Sequence, residues 1–424
     1  MVCTQSADKP RPSERPAERR AKEKEGTMGK AESSFWNAVI RHRLVIFTVC
    51  VTVLSLYARF AFRGFISPDM NIFLIPWYDA IQEMGGLRAL STQVGNYQIS
   101  YQTLIALMTY LPIHKVYAYK SLSMAFDYAL GLAAAATVRR ITGSREKAAL
   151  TYAAVVLLPV TVLNSAAWGQ CDSIFTFFLV LAFFLLLRRQ HALMMLSFGM
   201  ALAFKLQAVF FLPFLLFYYV WSKRFPIRLF LLIPVPVLLF SLGGLAQGRG
   251  LQDILQIYTE QGGQYQQISL NYPSFWNLLV ITLAEKNADH YSELQAYCLA
   301  VTVLLSGAIM LCLIRARKLS QQALLMTASL MMYTCVLFLP AMHERYAYPV
   351  LIFAVMLSVL CPKALPVALG MLIIDLQTYG FYLMKIKTLP WDFLVLLNIA
   401  CYGWMAFLTW KTVRAQTPDT APSP

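Results

Sequence analysis

Two carboxylates, Asp69 and Asp79, stand in the stretch Ile-Ser-Pro-Asp-Met-Asn-Ile-Phe-Leu-Ile-Pro-Trp-Tyr-Asp (residues 66–79), directly after the first long apolar run of the chain. A helix leaving a bilayer at that point reaches water. A carboxylate at such a boundary can take a proton from, or hold a cation beside, a substrate whose other half is lipid. Other polar groups recur at the ends of later apolar runs: Trp168, Gln170 and Asp172 in Trp-Gly-Gln-Cys-Asp, Lys205 with Gln207, and the run His343-Glu344-Arg345-Tyr346. A carboxylate serves as a base. Arg grips phosphate with two parallel hydrogen bonds, and Lys holds it as a point charge.

The elements that must position these groups are membrane helices. The chain has 424 residues, 58% hydrophobic and 13% charged, with a mean hydropathy of +0.56. Apolar runs of about 20 residues, the length that crosses a hydrocarbon core, recur along it. A β-barrel is excluded, because its strands would alternate apolar and polar residues whereas these runs are apolar on every face. The fold class expected is therefore all-α and polytopic, with about twelve spans. The net charge of +15 comes largely from Lys and Arg in short loops between spans. They report orientation, so no nucleic-acid partner is implied. The eight cysteines show no Cys-x-x-Cys spacing, and neither a zinc site nor a disulfide framework follows.

Residues 1–34 are rich in Pro, Lys, Arg and Glu and are expected to be a disordered cytoplasmic N-terminus without a cleavable signal; Met28 is an alternative start. The first span covers 44–65, behind the basic Arg41-His42-Arg43. Residues 66–118 form a first external loop with juxtamembrane helices; its apolar helix at 101–112 is too short to cross. The remaining spans are placed at 119–138, 148–164, 172–187, 191–204, 206–221, 226–245, 292–314, 321–340, 345–361, 364–384 and 391–410. The basic loops between them put both termini in the cytoplasm and the unusual polar groups on the external face of a plasma-membrane protein. Residues 35–245 then make one membrane module, 246–291 an external loop rich in Gly, Gln and Tyr, 292–411 a C-terminal membrane module and 412–424 a cytoplasmic tail.

Asp69 in the first loop, Trp168-Gly-Gln-x-Asp172 followed by Lys205-x-Gln207, and Met342-His343-Glu344-Arg345-Tyr346 together resemble the GT-C superfamily of polyprenyl-phosphate-sugar glycosyltransferases. The resemblance is nearest to bacterial mannosyltransferase-like proteins related to GPI mannosyltransferase II. It implies transfer of a mannose-like hexose from a polyprenyl-phosphate sugar donor to an external cell-envelope glycan or lipid acceptor, with inversion at the anomeric carbon. Asp69 would be the general base. Lys205 and Arg345 would face the departing phosphate with His343 as a hydrogen-bond donor, and Asp79, Trp168, Gln170, Asp172, Gln207, Glu344 and Tyr346 would contact substrate. A divalent cation such as Mg²⁺ or Mn²⁺ suits the chemistry, but two acids ten residues apart do not require one.

Plainer roles stand beside these. Asp69 and Asp172 each suit a helix N-cap, Asp79 suits the wet face of an interfacial helix, and Lys205 could reach lipid head groups. His343, Glu344 and Arg345 could lock their own turn by ion pairing. Asp127 lies inside a span with no evident partner, as a buried and protonated acid would. A transporter or flippase of a lipid-linked glycan is the competing function, and it would need ionisable groups near the bilayer midplane.

Overall fold

A computed structural model of the chain describes residues 16–263, 265, 267–280 and 291–416. The chain divides into two units, Met1–Cys50 and Val51–Pro424. Helix α1, Pro16–Phe60, begins in the first unit and takes in much of the N-terminal stretch expected to lack structure; its Ala, Glu, Lys and Arg residues are strong helix formers. The expected tail lies outside the described residues after Gln416.

The second unit is helical throughout. Among the described residues there is no strand, only a bridge pairing Ser269 with Met342. A π-helical turn, Met70–Leu74, leads into α2, Ile75–Glu83, and α3 spans Ile99–Met108. Then come α4 (Lys115–Thr142), α5 (Arg145–Val156), the single turn α6 (Pro159–Val162) running into a second π turn (Leu163–Trp168), α7 (Asp172–Leu187), α8 (His191–Phe204) and α9 (Leu212–Ser222). The chain continues through α10 (Val235–Ala246), α11 (Leu251–Gly263), α12 (Asn277–Val280), α13 (Tyr291–Ile314), α14 (Gln321–Phe338), α15 (Tyr348–Leu360), α16 (Leu365–Met384) and α17 (Trp391–Arg414).

Each expected span falls on one of these helices or on a broken pair. Seven helices among the described residues are long and apolar enough to cross a bilayer, and the bent pair Arg145–Val156 with Pro159–Trp168 makes an eighth. The bend is 49° and falls at Pro159, whose ring removes an amide donor and starts a new helix. Four of the expected spans, α7, α8, α15 and Leu206–Ser222, are shorter apolar helices. The chain is thus an all-α polytopic membrane protein.

The core sits around α14. Every residue of that helix from Ala323 to Phe338 is buried, and Thr327 and Thr334 return their hydroxyls to the carbonyls one turn back, which keeps polar groups satisfied inside an apolar bundle. Helix starts are set locally: Ser144 and Ser320 cap α5 and α14 by accepting the amides of Lys147 and Ala323.

Asp127, expected without a partner, has one. Arg59 in the last turn of α1 donates to its Oδ2 from Nη2 at 2.8 Å and from Nε at 3.2 Å, and Ser165 also donates to that oxygen. Arg59 and Asp127 are both buried. The buried acid is balanced by a cation from another helix, which the apolar sequence around Arg59 did not suggest.

Candidate active site

The first π turn, Met70–Leu74, is entered from Ser67-Pro68-Asp69. Ser67 Oγ accepts the Met70 amide, and its hydroxyl donates to the Trp168 carbonyl at 3.0 Å. The turn is therefore capped by Ser67, and the Asp69 carboxylate makes no cap hydrogen bond. It is free to point across the fold. The second π turn, Leu163–Trp168, ends at Gly169, whose φ is +75° and whose missing Cβ leaves room for the Met70 methyl. π turns re-aim the side chains that follow them. Here two of them, packed together, bring Asp69, Trp168 and Gln170 face to face.

Asp69 is buried and surrounded by donors. Its Oδ2 accepts from Trp168 Nε1 at 2.9 Å, Gln170 Nε2 at 2.7 Å and Arg345 Nη2 at 3.4 Å. Its Oδ1 accepts from the Tyr382 hydroxyl. The Trp168 ring stacks on Tyr382 at 4.8 Å, meets Tyr379 edge-on at 5.0 Å and carries the Arg345 guanidinium 5.0 Å from its centroid. Gln170 uses both ends of its amide, since its Oε1 accepts from Tyr97 at 2.9 Å and from Arg345 Nη1 at 3.0 Å.

Asp172 is the first residue of α7, and Cys171 occupies the cap position. The Asp172 carboxylate is committed elsewhere: Lys205 donates to its Oδ1, and Asn164 donates to its Oδ2 at 2.8 Å. Lys205 leaves the end of α8 on extended backbone, so it reaches inward and is only 4% exposed. It is a buried partner of Asp172, with Phe175 and Tyr346 rings 5.5 and 5.9 Å away, rather than a residue reaching for head groups.

The turn before α15 supplies the third wall. Arg345 donates from Nε to Glu344 Oε1 at 3.2 Å, and its Nη1 lies 3.9 Å from Asp172 Oδ2. Burial opposes the Arg345 charge, yet Tyr97 and the carboxylates of Asp172, Glu344 and Asp69 outweigh it and hold the guanidinium cationic. Burial likewise works to raise Glu344, but the neighbouring His343 and Arg345 outweigh it and hold the carboxyl at about 2. His343 Nδ1 stands 3.6 Å from Glu344 Oε2, an oxygen that is buried without a hydrogen-bond partner. Burial pushes the Cys171 thiol up to about 11, which keeps it protonated and a poor nucleophile.

These groups line one cavity of about 570 Å³, a volume in the range of small-ligand pockets. Asp69, Gln170, Lys205, Gln207, His343, Glu344, Arg345 and Tyr346 all border it. So do Tyr97, Gln267 and Asn271. Trp168 and Asp172 support it from behind.

Asp79 is not brought to this cavity. Ten residues along a helical path carry it about 15 Å from Asp69, and its carboxylate pairs with Lys115 at 2.6 Å on a partly exposed surface. Tyr382, Tyr379, Asn164 and Tyr97 are site residues that sequence reasoning missed. The available signal was Tyr379-x-x-Tyr382, one helical face of two aromatic hydroxyls just after the polar Asp375, Gln377 and Thr378 of the same span. Gln264 and Gln266 of the polar stretch 246–291 lie outside the described residues. Among the described residues no three His, Cys, Asp or Glu side chains gather as a metal site.

No curated protein matches the chain. The family model of glycosyltransferase family 87 matches residues 97–340. That span holds Tyr97, Trp168, Gln170, Asp172 and Lys205, while Asp69, Glu344, Arg345 and Tyr382 complete the cavity from either side of it. More than half of the chain is covered, and an all-α membrane fold with acids and bases gathered in one cavity suits the assignment: the chain belongs to glycosyltransferase family 87, a membrane family of the GT-C type.

Proposed function

We propose that the protein transfers a hexose, mannose-like, from a polyprenyl-phosphate carrier to a cell-envelope glycan or lipid acceptor on the extracytoplasmic face of the plasma membrane, with inversion at the anomeric carbon. One observation supports this reading above the rest: Asp69 is fixed by four donors in the wall of a cavity that also holds Lys205 and Arg345. Three of those donors occupy Oδ2, so Oδ1 keeps the lone pair for an acceptor hydroxyl. The hydroxyl oxygen would attack the anomeric carbon as its proton passes to Oδ1, and the carbon–oxygen bond to the lipid phosphate would break. Lys205 and Arg345 would take up the charge developing on that phosphate.

Glu344 Oε2 has no hydrogen-bond partner, and with Gln207, Gln267 and Asn271 it offers acceptors and donors for sugar hydroxyls. The mannose preference rests on the likeness of the Trp-Gly-Gln-x-Asp and His-Glu-Arg-Tyr elements to GPI mannosyltransferase II-related proteins. The external placement rests on the basic loops gathered at the opposite ends of the helices.

The test is sugar transfer by detergent-purified protein given labelled polyprenyl-phosphate hexoses and a membrane extract as acceptor, comparing wild type with Asp69→Asn. Wild type should transfer, and the variant should fall by roughly 10² or more, the loss expected for a positioned base. A variant that transfers normally moves the base elsewhere. Carrier binding by both proteins with transfer by neither supports movement of a lipid-linked glycan instead. Product NMR reads the anomeric outcome.

A further inference from the structure

At the end of the helices opposite the Asp69 cavity there is a second one, of about 820 Å³. Helix α7 separates the two: Asp172 begins it and Arg189 follows its end, about 26 Å apart at 1.5 Å per residue. The second cavity lies where three segments meet, namely the end of α7, the end of α9 and the connection from α13 to α14. Trp221 closes one side by donating from Nε1 to the Ala316 carbonyl at 2.7 Å.

Its lining is strongly one-sided. Arg189, Lys223, Arg224, Arg315, Arg317 and Lys318 border it, and among the described residues no carboxylate does. None of the six forms an ion pair among the described residues. Helix α14 begins at Gln321 in the same wall, so its amide-rich end adds partial positive charge. The floor is apolar and buried, made by Leu186, Leu187, Leu319 and Leu324.

Basic residues at helix C-termini have a simpler use, because they offset the helix dipole and report orientation in the membrane. That use asks only for charges near each helix end. It does not ask six cations from three segments to face one concave volume over an apolar floor. Two of them, Arg189 and Lys223, also hold left-handed backbone with φ of +59° and +49°, which is unfavourable for residues with a Cβ.

We propose that this cavity binds an anionic, phosphate-bearing amphiphile, with the phosphate held by the cationic rim and the apolar portion laid on the leucine floor. An anionic phospholipid of the adjoining leaflet has that chemistry. A free phosphate shares only the first half of it.

The full-length protein in neutral detergent is titrated separately with phosphatidylglycerol, with phosphatidylcholine of the same chains and with inorganic pyrophosphate, following bound ligand by native mass spectrometry and the unfolding midpoint by a thermal scan. Phosphatidylglycerol should bind and raise the midpoint, and phosphatidylcholine and pyrophosphate should do neither. Arg224→Gln/Arg317→Gln/Lys318→Gln should weaken phosphatidylglycerol at least tenfold.

Gln321→Glu serves where that triple variant fails to fold, since an acid at the first position of α14 suits the helix while repelling an anion in the cavity; it should weaken the same binding by a similar factor. Equal stabilisation by pyrophosphate and phosphatidylglycerol would make this a free-phosphate site and overturn the amphiphile. Phosphatidylglycerol binding that neither variant weakens, or none in wild type, overturns the site.

Discussion

The Tyr382 hydroxyl donates to Oδ1 of Asp69 across 313 positions of chain, while the Tyr382 ring stacks on Trp168, itself a donor to Oδ2 of the same carboxylate. Tyr382 thus fixes Asp69 directly and through its neighbour. Tyr382→Phe keeps the ring and its stacking but removes the donor. Transfer should fall about 10- to 100-fold, the scale of a misplaced reacting group, with an unchanged unfolding midpoint. Steady-state kinetics and a thermal scan together check this; a lowered midpoint would mean that the hydroxyl matters for folding instead.

Lys205 and Asp172 are a buried charge pair. Removing one partner leaves the other uncompensated, so Lys205→Met should cost about 3–5 kcal/mol. Adding Asp172→Asn neutralises the orphan and keeps an acceptor for Asn164. The double variant should recover most of the stability in a denaturation experiment yet stay poor in transfer, because the phosphate has lost a cation.

Glu344 gives a pH signature. Its carboxyl is held at about 2, below the 4.5 of an unperturbed glutamate, so its contribution is fully present above pH 4.5 and is lost as pH falls through 2. Wild type should exceed Glu344→Gln in stability by on the order of 3 kcal/mol at neutral pH. The gap should stay constant down to roughly pH 5 and narrow below it, as unfolding midpoints measured across pH will show.

Gly169 is required for two reasons, its φ of +75° and the Met70 methyl lying where a Cβ would be. Gly169→Ala should destabilise by about 1–3 kcal/mol and abolish transfer by displacing Trp168 and Gln170. Met70→Ala in the same chain should relieve the clash but not the backbone strain, giving partial recovery in both assays.

Asp79→Asn should leave transfer within about twofold and stability within about 1 kcal/mol, since its pair with Lys115 is partly exposed. A large loss of transfer would return Asp79 to the reaction.

Much of this architecture is readable from residue order. Spans such as α7 are apolar on every face, so their existence follows from length and composition alone. Asp69, Gln170, Lys205 and Arg345 stood out because each interrupts an apolar run at its end, where a polar group is costly unless it has work to do. Tyr382 and Asn164 did not, because a Tyr or Asn within a span is common and its partner is set by packing. Arg59 lies inside the first span among apolar neighbours, and only the approach of α4 makes it the partner of Asp127. Asp79 misled for the opposite reason: nearness in sequence is not nearness along a helix.

That Arg59–Asp127 pair also bears on how the chain is made. A lone Asp or Arg in the hydrocarbon costs a nascent helix about 2.5–3.5 kcal/mol. Neither α1 nor α4 can discharge its own penalty, but each cancels the other's, and Ser165 joins them from the π turn that follows α6. The bilayer cost of the two helices is therefore lowest when they are paired, and through Ser165 that pair is tied to the second of the two π turns that meet at the site.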